Sequence, residues 1–373
     1  MSIDIRFDAA SDSARAARVL EGDPAFGKQF ADLMFVTGHD AVRGWHDARI
    51  GRFENLSLSP AAKVLHYGLE IFEGFKAYRQ ARGSIALFRP DLNAKRFNRS
   101  AARMALPAVP EALFIKAAAA LTDAVRDWVP SGEDGSLYLR PTLIGTEPAI
   151  GVSPSSTHLF YIIATPARGY FKNNASTISV RVEDADVRAA AGGVGFAKAG
   201  GNYGAGMMGK RRALENGFDE VMWLDAAHRC YIEEMGAMNV FVVRDGALVT
   251  PPLSSTILEG VTRRSILELA PHLGLQATEA ALNVDEVMSD AASGRISEIA
   301  AVGTAAVISP VSRIGFKDTT VELPNRGIGP VFTRVRRALT DIQYGRVEDP
   351  FGWMLPVRSA AADASVPRCT MHS

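Results

Sequence analysis

The chain has 373 residues, 47% hydrophobic and 22% charged, which suits about two globular domains of roughly 100–200 residues each. Lys plus Arg and Asp plus Glu both number 41, so no bulk charge recruits a nucleic acid. The two cysteines, Cys230 and Cys369, exclude a disulfide framework or a CxxC site, and the seven histidines lack HExxH-type spacing, so no metal is expected.

The N-terminus mixes Asp4, Asp8 and Asp12 with arginines, which fits neither a secretory signal nor a mitochondrial transit peptide. The apolar stretch 113–125 is broken by Lys116 and Asp123 and is too short to span a membrane. A cytoplasmic protein is expected. Residues 1–30 are polar and irregular and read as a loose lead-in. Two strands with a turn follow in 33–50. A short helix should open after Ser59, with Pro60 at its first position. Residues 71–90 read as a hairpin turning at Ala81, Arg82 and Gly83.

Asp91 should cap a helix that carries Arg96, Arg99 and Arg103 to one side. A second helix spans about 110–129, and strands cover 136–145 and 158–166. Alternation in the first of these puts Tyr138 and Arg140 on one face. Residues 167–176 break the pattern and suit a linker. Beyond it come a strand at 177–182, a glycine-rich stretch, a helix to about Asn216 and a strand at 219–225. Asp245-Gly246 between β-type runs marks a hairpin. A helix at 261–274, further alternating elements and a helix at 329–344 complete the pattern. The expected organisation is a domain at 1–166, a linker at 167–176, a domain at 177–358 and a disordered tail at 359–373.

The glycine-rich stretch, 192–209, reads GGVGFAKAGGNYGAGMMG and holds one lysine, Lys198, among eight glycines. Repeated glycine suggests backbone passing close to something. Gly204, Gly206 and Gly209 match GxGxxG, but AKAGGNY before them is no strand, as a dinucleotide site requires. Gly204 to Lys210 begins a P-loop, but Arg211 stands where a magnesium-binding hydroxyl is needed. Arg96, the helix start at Gly260, Val261 and Thr262, and the loop at Gly303 and Thr304 are each suited to an anion. Each alone is equally an ordinary helix end or turn. Glu233 and Glu234 sit among apolar residues, and a carboxylate buried there needs a partner. Tyr67, Phe72 and Tyr78 suit a core or a pocket wall.

Together, HYGLEIFEGFKAYR, LFRPDLNAKRFNRSAARM, LYLRPTLIGTEP, AKAGGNYG, EEMGAMN, LEGVTRRSILELA, GTAAVISPV and LTDIQYGRVED resemble the branched-chain amino acid aminotransferases. These are fold-type IV pyridoxal-phosphate enzymes. The resemblance implies a mixed α/β, two-domain fold, with a smaller N-terminal domain and a larger cofactor-binding one. It implies that Lys198 forms a Schiff base with pyridoxal 5'-phosphate, that Tyr203 bonds the cofactor's phenolic oxygen, and that Glu234 pairs with its pyridine nitrogen. Arg96, Val261, Thr262 and Thr304 would hold the phosphate. Tyr67, Phe72, Tyr138, Arg140, Tyr170, Ala237 and Ala305 would face the substrate, with some pocket residues lent across a homodimer interface. Gly200 and Gly201 would give clearance beside the cofactor.

The implied reaction is reversible amino transfer between leucine, isoleucine or valine and 2-oxoglutarate, with Arg140 receiving glutamate's distal carboxylate. No nucleic acid or membrane partner is implied. Two departures stand out. Ala237 occupies a position where the family often has Thr, and Ala306 and Ser309 replace a mammalian redox-sensing cysteine pair. A D-amino acid aminotransferase and an aminodeoxychorismate lyase share the fold, and a nicotinamide dehydrogenase is the reading from a different class.

Overall fold

The structure is a computed structural model, and it describes residues 4–22, 24–132, 134–168, 177–325 and 327–358. Tyr170, most of the expected linker and the 359–373 tail lie outside the described residues. The first half of the chain runs β1 (Arg6–Phe7), α1 (Ser13–Glu21), β2 (Leu33–Asp40), β3 (Gly44–Arg52), α2 (Lys63–Tyr67) and β4 (Glu70–Phe72). It continues through β5 (Phe75–Arg79), β6 (Ile85–Phe88), α3 (Pro90–Arg103), α4 (Glu111–Ala124), β7 (Gly135–Gly145) and β8 (Thr157–Arg168). The strands form one sheet in the order β1-β3-β2-β8-β7-β5-β6, with β4 paired to β7. Phe97 of α3 and Phe114 of α4 meet Phe160 of β8 at ring centroids of 5.5 and 6.0 Å, and all three are fully buried. Each such side chain contributes about 1.5–3 kcal/mol by leaving water. That packing fixes α3, and therefore Arg96, against the sheet.

The second half runs β9 (Ile178–Glu183), α5 (Gly200–Ala205), α6 (Met207–Glu215), β10 (Glu220–Leu224), β11 (Ile232–Met235), β12 (Met238–Arg244) and β13 (Ala247–Thr250). Next come α7 (Val261–Leu269), β14 (Ala277–Glu279), α8 (Val284–Ser293), β15 (Ile296–Gly303), β16 (Val307–Phe316), β17 (Thr319–Glu322), α9 (Pro330–Gln343) and β18 (Met354–Val357). The second sheet has the order β11-β10-β9-β16-β15-β12-β13-β14. An extra β11–β12 pairing closes six of its strands into a ring. Asp245 and Gly246 both have positive φ, 48° and 82°, as the β12–β13 hairpin turn demands.

Several local expectations give way. The lead-in is not merely loose: α1 buries Ala16, and Trp128 donates to Ser11 Oγ at 3.2 Å. Helix α2 begins at Lys63 rather than Pro60, after a turn in which the Ala62 N–H bonds the Ser59 carbonyl at 2.9 Å. Asp91 does not cap α3. Pro90 is its first residue, and Arg89, at φ 47°, is the cap position. Asp91 instead lies in the first turn, where its charge suits the positive end of the helix. Strand β18 returns to the first sheet and pairs with β6.

Candidate active site

A cavity of about 370 Å³ lies where elements carrying both sheets converge. Lys198 lines it, and the lysine's backbone is held by the first half of the chain. Its N–H donates to Ser100 Oγ of α3 at 2.9 Å, and its carbonyl accepts from the Phe72 N–H at 2.9 Å. Ala199 makes an isolated antiparallel bridge to Ile71. The side chain turns into the cavity, with Nζ 4.6 Å from the Phe72 ring centroid and donating to the Tyr203 hydroxyl at 2.6 Å. Burial, followed by the charge of Arg96, pushes the Lys198 ammonium down to about 8. Burial and the nearby Glu234 raise the Tyr203 phenol.

Arg96 and Glu234 also line the cavity. Arg96 is gripped by Glu73, with Nε to Oε1 at 2.6 Å and Nη2 to Oε2 at 2.8 Å, and it donates from Nη1 to the Glu259 carbonyl at 2.9 Å. Glu73 is fully buried and also accepts from Asn93 Nδ2 at 2.7 Å. Burial works to raise its carboxyl, but Arg96, Lys198 and Asn93 outweigh it and hold the group below its ordinary value. Glu234 accepts from the Leu258 N–H at 2.7 Å and lies 3.2 Å from Arg188 Nε. There burial outweighs Arg188, and the carboxyl is raised. Its neighbour Glu233 does not line the cavity and accepts from Thr256 Oγ1 at 2.5 Å.

Helix α7 starts at the cavity wall. Its cap position is Gly260, and no side chain caps it, so the N–H groups of Val261 and Thr262 face that end uncapped. Thr304 and Ala305 follow β15 in the turn to β16 and line the same cavity. Arg140 Nη2 donates to the Tyr138 hydroxyl at 3.1 Å, and its guanidinium carbon lies 4.7 Å from the Phe72 ring centroid. Arg140 Nε is buried without a partner among the described residues. A Cβ on Gly74 would stand 1.7 Å from the Tyr138 hydroxyl, so only glycine lets that phenol into the cavity.

Thus Lys198, Arg96, Tyr203, Glu234, Val261, Thr262, Thr304, Phe72, Tyr138, Arg140, Ala237 and Ala305 converge on one cavity. Tyr67 does not. It is 41% exposed on α2 and its hydroxyl donates to the Ile150 carbonyl. Sequence reasoning missed Phe26, which lines the cavity and packs edge-on against Tyr138 at 5.1 Å. It also missed Glu73 and Arg188, which carry no local signal because their partners are distant in the chain. A Cβ on Gly200 would meet Glu70 Oε2 at 2.1 Å, whereas one on Gly201 would meet nothing within 4 Å. Gly204, Gly206 and Gly209 lie in or between α5 and α6, which leaves GxGxxG without its strand–turn–helix setting.

The donor set fits pyridoxal phosphate. A helix start without a side-chain cap and a buried guanidinium suit a phosphate, and a raised carboxyl suits a protonated ring nitrogen. An amine depressed by burial suits an aldehyde. Among the described residues no cluster could hold a metal ion, and no helix is long and apolar enough to cross a membrane.

Residues 70–314, well over half of the chain, match the family model for amino-transferase class IV. The chain is 43% identical over 333 residues to branched-chain-amino-acid transaminase 1 of Bacillus subtilis, covering 89% of this chain and 94% of that protein. It superposes on the crystal structure of the Escherichia coli branched-chain amino acid aminotransferase with a TM-score of 0.73 at 29% identity, over 83% of this chain and 97% of that one. A T.th. branched-chain amino acid aminotransferase, whose structure contains pyridoxamine 5'-phosphate, matches with a TM-score of 0.71 at 28% identity, over 87% of this chain and 98% of that one.

Proposed function

The chain belongs to the class IV aminotransferases, within the branched-chain amino acid branch, and from that premise we propose how its residues divide the work. It is a transaminase of branched-chain amino acids that uses pyridoxal phosphate. The substrate pair in this reading is a branched-chain L-amino acid, leucine, isoleucine or valine, and 2-oxoglutarate. The cofactor supplies an aldehyde and an electron-withdrawing ring that together make the substrate's Cα–H acidic.

Lys198 would hold that aldehyde through Nζ, and its amine is placed to hold and move the proton at Cα. An ammonium depressed to about 8 sheds its proton more readily than a free lysine. The Tyr203 hydroxyl orients Nζ through their 2.6 Å hydrogen bond. Glu234 holds a proton at the pyridine nitrogen. Arg96, the Val261 and Thr262 N–H groups and Thr304 hold the phosphate, so the ring is fixed relative to Nζ. Phe72, Tyr138, Ala237 and Ala305 bound the substrate. Arg140, with its Nε lacking a partner among the described residues, receives the distal carboxylate of glutamate.

The two sheets form the cores of the two domains, divided near residues 167–176. A second copy of the chain completes the pocket. Leu65 and Tyr67 of α2, with Ile150 and Val152, form an exposed apolar group, and Tyr67 lies away from its own cavity. That arrangement supports a homodimer in which Tyr67 serves the neighbouring site.

The observation that carries the assignment of roles is the Lys198 amine in a cavity it shares with Arg96, Glu234 and the α7 start. Reconstitution with pyridoxal phosphate should give a visible or near-ultraviolet band, and leucine with 2-oxoglutarate should yield glutamate. Lys198→Ala should lower turnover by at least about 10³-fold. Turnover close to the unmodified enzyme would remove Lys198 from this role.

A further inference from the structure

Lys76 is a buried amine that the site as described does not use. It lies on β5, opposite Tyr138 of β7 in the sheet register, so it shares the face that points Tyr138 into the cavity. It is only 7% exposed. Its Nζ donates to the Ala305 carbonyl at 2.7 Å, a contact between a strand of the first sheet and a turn of the second. Burial pushes its ammonium down to about 8, with Asp134 opposing the shift.

The turn it grips is strained. β15 ends at Gly303 and β16 starts at Val307, which pairs directly with Gly303, so Thr304, Ala305 and Ala306 reverse the chain. Val307 has a φ of 61°. A β-branched residue rarely adopts that conformation, and it persists only where its surroundings over-determine it. The Lys76 bond supplies one such constraint, from outside the hairpin. A space of about 10 Å³ beside Lys76 is lined by Thr262, Thr304 and Gln343, and Gln343 Oε1 is buried without a partner among the described residues. The amine therefore sits directly behind the wall of the cofactor cavity.

We infer that Lys76 is a positioning residue for substrate recognition, pinning the Thr304–Ala306 turn in the strained form that presents Ala305 to the cavity. The inference rests on the transaminase reading above. Lys76 touches neither cofactor nor substrate and acts through the backbone of Ala305. Without it, the turn relaxes toward an ordinary φ at Val307 and the Ala305 backbone swings out of register.

The test uses the pyridoxal-phosphate-loaded enzyme and 4-methylpentanoate, which is leucine without its amino group and reports binding in the substrate cavity without chemistry. Lys76→Met keeps most of the length and the apolar stem of the side chain but removes its donors. It should weaken 4-methylpentanoate at least tenfold by calorimetry and raise the KM for leucine by a similar factor, while kcat falls less than threefold. Val307→Gly removes the steric strain, so in that background Lys76→Met should cost no more than threefold. Binding by Lys76→Met within twofold of the parent, or the same loss with Val307→Gly as without, would overturn the inference. Should the Met variant not fold, Lys76→Gln replaces it. Its shorter donor should cost at least threefold, and a loss under twofold again overturns the idea. If the unmodified enzyme neither binds 4-methylpentanoate nor converts leucine, the transaminase reading itself fails, which is a different result.

Discussion

Glu73 and Glu234 are both deeply buried glutamates set against one arginine each, and they are held in opposite ways. Glu73 is closed on every side. Both oxygens bind Arg96, Oε2 also takes Asn93, and its proton affinity is lowered in spite of burial. Glu234 is held more sparingly, by one backbone N–H on Oε1 and by Arg188 Nε at 3.2 Å from Oε2, and burial wins. The first arrangement suits a carboxylate that must stay ionised so that a cation stays in place. The second suits a carboxylate that keeps an appetite for a proton, the property a pyridine nitrogen's partner needs. Two similar-looking ion pairs, one contributing Arg96 and the other Glu234 to the same cavity wall, are thus set apart by how many donors each carboxylate receives.

The largest expected effect comes from opening the closed pair. Glu73→Gln leaves Arg96 a buried cation without its counter-charge and should cost about 3–5 kcal/mol of stability by chemical denaturation. It should also weaken pyridoxal phosphate binding, read by loss of the cofactor band on dilution. A stability change under about 1 kcal/mol would break the comparison, because it would make the pair no tighter than a surface bridge. Next, Glu234→Gln should leave the fold and cofactor loading intact but lower kcat about 100-fold, since an amide cannot hold the ring proton as a carboxylate does. An unchanged kcat would put the proton-holding role elsewhere.

The smallest effect is in the pH dependence of the cofactor-free protein, where the two groups should pull in opposite directions. The folded-state pKa of Glu73 lies below the ordinary 4.5, so its stabilisation is present above that value and is lost as pH falls through the folded pKa. The folded-state pKa of Glu234 lies above 4.5, so its contribution is present below that value and fades as pH rises through the folded pKa. Melting curves from pH 4 to 8 should therefore show Glu73→Gln losing most at neutral pH, whereas Glu234→Gln gains slightly there. Slopes of the same sign would erase the distinction.

Much of this site was legible because its parts carry local signals. Alternation in LYLRP is enough to place Tyr138 and Arg140 on one face, and the structure joins them by a hydrogen bond of 3.1 Å. Asp245-Gly246 announces its own turn. Glu73 and Arg188 had no such signal. Each acts through a charge far away in sequence, and nothing in FEGFK or DVRAA shows which charge that is. Phe26 stands alone among small residues, between Ala25 and Gly27, in a stretch with no helical or strand period. The helix starts at Lys63 and Pro90 were misread because tertiary contacts overrode the cap preferences. Lys63 is fully buried with its amine bonded to Ser153 and Pro154, which leaves Pro60 in the preceding turn.

Strand β18 has a consequence for how the molecule can be divided. Residues 354–357 follow the second sheet in the chain but are hydrogen-bonded edge to edge with β6 of the first, from Met354 opposite Phe88 to Val357 opposite Ile85. A break in the chain between residues 168 and 177 would therefore not yield two separable halves. The C-terminal fragment would still own one strand of its partner's sheet, as in a split reporter whose pieces are rejoined by strand complementation. The second half is laced to the first at its C-terminal end, and Lys198, bound to Ser100 and Phe72 of one and to Tyr203 of the other, is anchored to both.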